Sequence, residues 1–529
     1  LKLATDKNAA TGHIQSVVLF IITMLVYLAT LQPTVGVRDS GEMISAAWCM
    51  GVPHPSGFPL YIIISRFFLR LPFAPAVAMN LMSAVFSAGA VVLVFLLLSE
   101  LVCAIFRLGK KTAQIIAITG ALSLAFSFTF WSYAAFAEKY SLFAFFSALL
   151  LFFAWRYAEG RQERDFYLLV FLLGLSLTHH LSAIFFILPL LYLAWKIKPR
   201  VNFVKSVVLF CLPMCLYFYL PMRAFYPPFE WPGMSNLRGV LGHIFARQYS
   251  YAFFSTPAPE MISRIKHQLA GNFLNQFTIA GIVLCLAGLI VVFKRHKTYS
   301  VFLVLAVLSN IIVVLGYNIV DQYNIDTYYF AAYVIFAVWI GAGTGFLVEF
   351  ASRRHRTIAL GILLLSLFYP VALGNRNLVY ADRSRDYLVR DYCANLLNSV
   401  EDGALLIVDG DQILYPLWYL HFVERRKPEV LIRTTRDFPK ETAACNVKQR
   451  PVYFNSPEEK YLPEGYKLLQ LGLVFRVVPV KYKAGNEELK NMRMEIISRY
   501  LARGLPDKTI YRNTALRWVV AHWMYMKGQ

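Results

Sequence analysis

The sequence predicts an all-α polytopic membrane protein that ends in a small α/β domain. Three observations carry that reading. Hydrophobic residues fill 58% of 529 positions, a share that leaves too little polar surface for a soluble chain of this size. They fall in blocks near 20 residues, about the length that crosses ~30 Å of hydrocarbon. Beyond residue 375 the pattern changes to short apolar runs separated by turn residues.

Taken in order, the blocks predict about eleven spans, at roughly 14–32, 76–106, 113–131, 141–157, 166–178, 181–196, 204–221, 273–293, 300–318, 328–350 and 357–374. The fifth and sixth are short and run together through His179 and His180, so they read either as two spans or as one bent hairpin. The first block follows Lys2 and Lys7 with no small-residue cleavage site after it, which predicts an uncleaved span. Aromatic residues at 16% fit interfacial belts of Trp and Tyr.

A net charge of +21 invites a nucleic-acid reading, but the positions of the basic residues exclude it. They gather in alternate short connectors: Arg107, Lys110 and Lys111; Arg156, Arg161 and Arg164; Lys196, Lys198, Arg200 and Lys205; Lys294, Arg295 and Lys297; Arg353, Arg354 and Arg356. Such connectors mark a cytoplasmic face. The opposite set is then external: 32–75, 132–140, the His179/His180 turn, 222–272, 319–327 and the tail. The expected location is a bacterial inner membrane, with the tail facing the periplasm or exterior.

Within the outer loops, 41–50 and 58–70 are apolar, too short to span and bracketed by prolines, which predicts helices lying at the membrane surface. The stretch Ser235 to Phe254, with Arg238, His243 and Arg247, reads the same way. In the tail, Ala404–Val408, Val430–Arg433 and Pro451–Phe454 predict strands, with a helix from Asp411 to Leu420 between the first two. Residues 487–503 and 507–526 read as helices. The expected domains are 1–375 in the membrane and 376–529 outside it. Cys393 and Cys445 could pair in an oxidising compartment, and no zinc-type Cys/His spacing occurs.

The densest chemistry is Arg38-Asp39-Ser40-Gly41-Glu42. By spacing alone it is a capping box, with Asp39 as N-cap and Glu42 three residues on. The same Asp39 could instead face a cavity and take a proton from a hydroxyl. Gly51 to Tyr61 is a loop fixed by three prolines and two glycines, with His54 as a donor to phosphate or hydroxyl or as a structural residue. Glu138 sits on the next outer turn; unpaired acids at membrane depth are costly and often functional, but Lys139 stands beside it as a partner. His179 and His180 suit either core packing or a polar substrate group. Arg223 and Arg247 could grip a phosphate with a guanidinium fork or snorkel to headgroups; Arg223, following Pro221, is the stronger candidate. Asp321 and Asp326 could meet sugar hydroxyls or cap a span, and Asp409-Gly410-Asp411 reads as a structural turn.

Asp39 to Glu42 together with Gly51 to Tyr61 resembles a bacterial membrane family long labelled as a domain of unknown function. Its animal relative is a protein O-mannosyltransferase of plexin-type receptors. Weaker matches are Glu138 to Leu142, Gly174 to His180, Tyr219 to Arg223, Asp409 to Asp411 and Pro416 to Tyr419. Ser56 stands where a second proline is usual, and Lys139 follows Glu138. The resemblance implies a GT-C fold and an inverting transfer of one hexose, mannose foremost, from a polyprenyl-phosphate donor to a hydroxyl of a protein Ser/Thr or a glycolipid. It turns Asp39 from cap to catalytic base, with Glu42 and Glu138 as further acids. His54, His179, His180, Arg223 and Arg247 become donor-phosphate or substrate contacts, and no metal or other cofactor is expected. The competing reading is a transporter or flippase of a lipid-linked saccharide, which predicts acids near the bilayer midplane. The acids here fall in outer loops.

Overall fold

The computed structural model describes residues 2–503, apart from 199, 227, 228, 230, 319–321, 436–445, 458 and 502. Asp321, Cys445 and the helix expected at 507–526 lie outside the described residues. By its internal contacts the chain divides into two compact units. One comprises Leu1–Leu31, Met50–Phe68 and Asn80–Asp382; the other comprises Gln32–Cys49, Leu69–Met79 and Arg383–Gln529.

All eleven apolar blocks are helical. Among the described residues, seven helices are long and apolar enough to cross a membrane: Pro75–Ile105, Tyr140–Gly160, Phe203–Arg223, Phe273–Arg295, Lys297–Gly316, Ile325–Ser352 and Arg356–Ala381. An eighth candidate is the pair Lys110–Ala125 and Phe128–Ala134, bent by 71°. The break is tolerated because side chains take up the freed backbone groups. Ser127 Oγ donates to Leu124 O at 2.9 Å, Asn377 Nδ2 donates to Phe126 O at 2.8 Å, and the Thr129 amide donates to Gln276 Oε1 at 2.8 Å. The other three blocks are shorter: His13–Ala29, Glu163–Leu177 and Leu181–Ile197. The fifth and sixth blocks are separate helices around a turn, the sixth beginning as a 3-10 segment at Leu181–Phe186.

Three of the five basic connectors meet at one acid. Glu349 is 3% exposed; its Oε1 accepts from the Arg107 amide at 2.9 Å, and its Oε2 accepts from Arg295 Nη2 at 2.5 Å. Arg353 lies 3.5 Å away.

The second unit holds a five-stranded sheet among the described residues, with strands β1 Leu405–Val408, β2 Leu431–Thr434, β3 Val452–Phe454, β4 Tyr466–Leu471 and β5 Val474–Pro479, in the order β2-β1-β3-β5-β4. β1 is parallel to both β2 and β3, while β3–β5 and β4–β5 are antiparallel. The three expected strands are present. The β4–β5 hairpin, turned at Gly472 with φ 60°, was not expected; its burial is patchy, and its alternation is too weak to stand out in the sequence.

The helix Ser40–Cys49 also belongs to this unit, and its residues 40–47 are buried. It packs on the helix Asp411–Trp418, and Gly41 is what permits the approach. A Cβ there would lie 2.6 Å from Pro416 N and closer still to Tyr415 O. The Arg38 amide adds a 3.1 Å bond to Gln412 Oε1. Two motifs some 370 residues apart in the sequence are therefore one packing element. Cys393 is a free, buried thiol that donates to Ile413 O at 3.7 Å.

Candidate active site

The loop Gly51 to Phe58 is held by its backbone. Four successive carbonyls accept side-chain donors from residues 219–243. Arg223 Nε reaches Met50 O at 2.5 Å, Tyr219 OH reaches Gly51 O at 2.9 Å, Trp231 Nε1 reaches Val52 O at 2.8 Å and His243 Nε2 reaches Pro53 O at 3.1 Å. Glycine is needed at two points of the loop. A Cβ on Gly51 would sit 2.6 Å from the Phe229 ring, and Gly57 has φ 84° with Leu220 Cδ2 2.5 Å from where a Cβ would lie. Burial pulls the His243 imidazole down to about 4, so it is neutral at pH 7 and its Nε2 carries the proton that it donates to Pro53. Trp231 packs edge-on against it at 4.7 Å between ring centroids. Of these clamp residues, sequence reasoning assigned a role to Arg223 only. Tyr219 and Trp231 look like ordinary interfacial aromatics, and His243 like one polar residue on a surface helix.

The loop leads into the helix Pro59–Phe68, which meets the His179/His180 turn. The Leu60 amide donates to Thr178 O at 3.3 Å, Tyr61 stacks on His179 with centroids 5.9 Å apart, and Phe58 lies 5.9 Å from His180. His179 is fully buried, and desolvation pulls it down to about 3. Its Nε2–H donates to Lys139 O at 2.9 Å, while Nδ1 is buried with no hydrogen-bond partner among the described residues. His180 uses Nδ1 to accept the Ser182 amide at 3.2 Å, capping the 3-10 turn, and its ring packs among Tyr140, Phe143 and Tyr328.

Glu138 and Lys139 lie beside this turn, 1% and 3% exposed, with Lys139 Nζ 3.8 Å from Glu138 Oε2. The ammonium also faces the Phe58 and Tyr140 rings at 5.3 and 4.9 Å. The Ala137 amide donates to Asn80 Oδ1 at 2.7 Å, which fixes the strand of chain that carries the acid. His54, Glu138, Lys139, His179, His180 and Arg223 thus share the first unit; His54 is half-buried and meets Phe58 edge-on at 5.1 Å. Arg247 and Arg238 are exposed, in the segment 222–272. Asp326 accepts a 3.0 Å hydrogen bond from Thr129 Oγ1.

Asp39 and Glu42 are in the second unit. Asp39 is half-buried, and its carbonyl accepts the Met43 amide at 2.8 Å as the first bond of the helix; Glu42 is 2% exposed. The two present carboxylate oxygens within 4.8 Å of one another.

The fold that carries these residues is a GT-C-type membrane fold. It matches ArnT from Cupriavidus metallidurans, solved bound to undecaprenyl phosphate, with a TM-score of 0.55 over 89% of this chain and 99% of that one, at 10% identity. The oligosaccharyltransferase of Archaeoglobus fulgidus, solved with zinc and sulfate, matches with a TM-score of 0.50 over 84% and 68% of the two chains, at 13% identity. In sequence the chain is similar to the TMEM260 proteins. Residues 39–202 match the profile described as the protein O-mannosyl-transferase TMEM260 N-terminal domain. Protein O-mannosyl-transferase TMEM260 of Mus musculus is 27% identical over 447 residues, covering 78% of this chain and 62% of that protein. The Dictyostelium discoideum protein of the same name is 23% identical over 560 residues, covering 94% and 67%. The chain therefore spans about two thirds of the length of these relatives.

Proposed function

We propose that this protein is a membrane glycosyltransferase that moves one hexose, mannose foremost, from a polyprenyl-phosphate carrier to a hydroxyl of a protein, with inversion, on the outer face of the membrane. The observation that carries this reading is where the family match begins and what it contains. It starts at Asp39 and includes the clamped loop and both the Glu138 and His179/His180 segments, within a GT-C fold.

In the proposed reaction the acceptor oxygen bonds to the anomeric carbon as the bond from that carbon to the phosphate oxygen breaks. Asp39 takes the hydroxyl proton. Cleavage turns a singly charged phosphodiester into a doubly charged phosphomonoester, so charge grows on the leaving group and cationic donors lower the barrier. Arg223 is assigned that part. Its Nε contact to Met50 orients a guanidinium that has four more N–H donors. Glu42 and Glu138 are assigned to holding the acceptor or its hydroxyls, and His54, His180 and the exposed Arg247 to the donor headgroup. The basic connectors support a cytoplasmic placement for the opposite face, and a bacterial inner membrane is the proposed location. Against a transporter or flippase stands the position of the acids, Asp39 and Glu138 lying in connectors between helices.

Purified Asp39→Asn, compared with the unaltered protein for transfer from radiolabelled polyprenyl-phosphate mannose, tests the base assignment. A drop of at least about 100-fold is expected, and near-normal turnover from a folded variant rejects it. Transfer is proposed to need no metal. The spacing of Asp39 and Glu42 would nevertheless admit a cation, so loss of activity in EDTA and recovery with Mg²⁺ would overturn that part.

A further inference from the structure

The second unit contains a crevice of about 660 Å³, lined in part by Gln412, whose Oε1 accepts from the Arg38 amide. It opens where β1 and β3 end. The chain leaves β1 toward β2 and leaves β3 toward β4, so the two exits diverge between adjacent parallel strands. Ligands of open α/β sheets bind at such a switch point. The volume is in the range of small-molecule sites.

Its walls are built. The Asp409 amide donates to Asn455 Oδ1 at 2.8 Å, and Asn455 Nδ2 donates back to Asp409 O at 3.0 Å, so the ends of β1 and β3 are stapled together. Thr435, at the end of β2, donates from Oγ1 to Asp409 Oδ1 at 2.9 Å and holds the carboxylate in place. Gly410, with φ 90°, lets the chain turn away at once and keeps the mouth open. Ser456 Oγ is buried there without a hydrogen-bond partner among the described residues. A buried hydroxyl without a partner calls for an explanation, and a bound polar ligand is one.

The lining selects the ligand class. It combines a carboxylate (Asp409), side-chain amides (Asn455 and Gln470) and the Ser456 hydroxyl with the Tyr392 and Phe475 rings. Among the described residues that line it there is no Lys or Arg, so a phosphate or other anion would meet only the negative charge of Asp409. A wholly apolar ligand would strand the polar groups. A neutral polyol suits both halves. Each sugar hydroxyl donates and accepts, matching carboxylate and amide, and the C–H face of a pyranose packs on an aromatic ring.

We propose that this crevice is a binding site for a neutral hexose unit. The claim that the sugar is mannose rests on the proposed transferase reading; the claim that the crevice takes a neutral sugar does not.

The test uses the full chain in detergent and saturation-transfer NMR with methyl α-mannoside, methyl β-glucoside, methyl β-galactoside, an α-mannosylated Ser/Thr peptide and the same peptide without sugar. Saturation of ring protons in at least one hexoside is expected, with at least tenfold weaker binding in Asp409→Asn and in Ser456→Val. Asp409 is exposed, so its variant keeps the test sound if Ser456→Val fails to fold. Asp39→Asn is expected to bind as the unaltered protein does, which separates failure here from failure of the transfer reading. Binding of the free hexoside points to a sugar recognised by itself; binding of the glycopeptide alone points to the glycosylated product. The proposal is overturned by no saturation of any sugar, by binding that both variants leave intact, by loss of binding in Asp39→Asn, or by equal binding of the sugar-free peptide.

Discussion

Gly41→Ala adds one methyl to the centre of the Asp39–Glu42 motif, and the structure places that methyl against backbone. The new Cβ would meet Pro416 N at 2.6 Å and Tyr415 O nearer still. Ordinary contact is about 3.5–4.0 Å, so the helices Ser40–Cys49 and Asp411–Trp418 would have to part by about 1 Å. Neither backbone atom can rotate away as a side-chain tip could. Overpacking of this kind costs typically 1–3 kcal/mol. For a unit of this size that corresponds to about 2–4 °C in melting temperature per kcal/mol. Melting in detergent, followed by tryptophan fluorescence at several scan rates, should show a drop of roughly 3–10 °C, with earlier proteolysis of the second unit. The control is Gly361→Ala, in the helix Arg356–Ala381, where a Cβ meets nothing within 4 Å. There alanine should be neutral or stabilising by up to about 1 kcal/mol. If Gly41→Ala melts with the unaltered protein, the close approach of the two helices is not what the glycine serves.

The loop clamp predicts that Trp231→Phe and Tyr219→Phe, each losing one donor, cost about 1 kcal/mol apiece while lowering transfer by a larger factor; activity and melting measured on the same samples separate the two effects. The buried imidazoles predict a pH dependence. His179 and His243 titrate near 3 and 4 in the fold, against 6.5 when unfolded, so their stability is fully present above pH 6.5 and is lost as pH falls toward those values. At pH 5 each accounts for about 2 kcal/mol at ~1.4 kcal/mol per pH unit, and His243→Gln should flatten the fall in melting temperature between pH 7 and 5. The Glu138–Lys139 pair predicts that Lys139→Met, which removes the ammonium beside a buried carboxylate, costs about 3–5 kcal/mol. The double variant with Glu138→Gln should recover much of this, and additive losses in the melting series would refute the pairing.

The apolar blocks were legible because crossing a membrane imposes a length and a composition on contiguous residues. The tail strands β1, β2 and β3 were legible as short β-branched runs between turn signals. Where the structure goes further, the contacts are long-range. That Glu138 stands beside Lys139 is plain in the sequence, but that both are sealed from water and that His179 reports on the Lys139 carbonyl follow from helix packing. The Asp39 spacing is the same whether it caps or catalyses, since a capping box and a base at a helix start use the same residue types.

By itself, then, the sequence determined the apolar blocks, the α/β tail and the motifs that carry the TMEM260 resemblance, because each is written in neighbouring residues. Only the tertiary structure decided that Tyr219, Arg223, Trp231 and His243 grip four successive carbonyls of the Gly51 loop. Only it decided that Gly41 answers to Tyr415 and Pro416, and that β1 and β3 end at a common crevice. A hydrogen bond to a backbone carbonyl leaves no mark on the identity of the residue that accepts it, and the partners of a glycine are set by what packs over it rather than by what precedes or follows it in the chain.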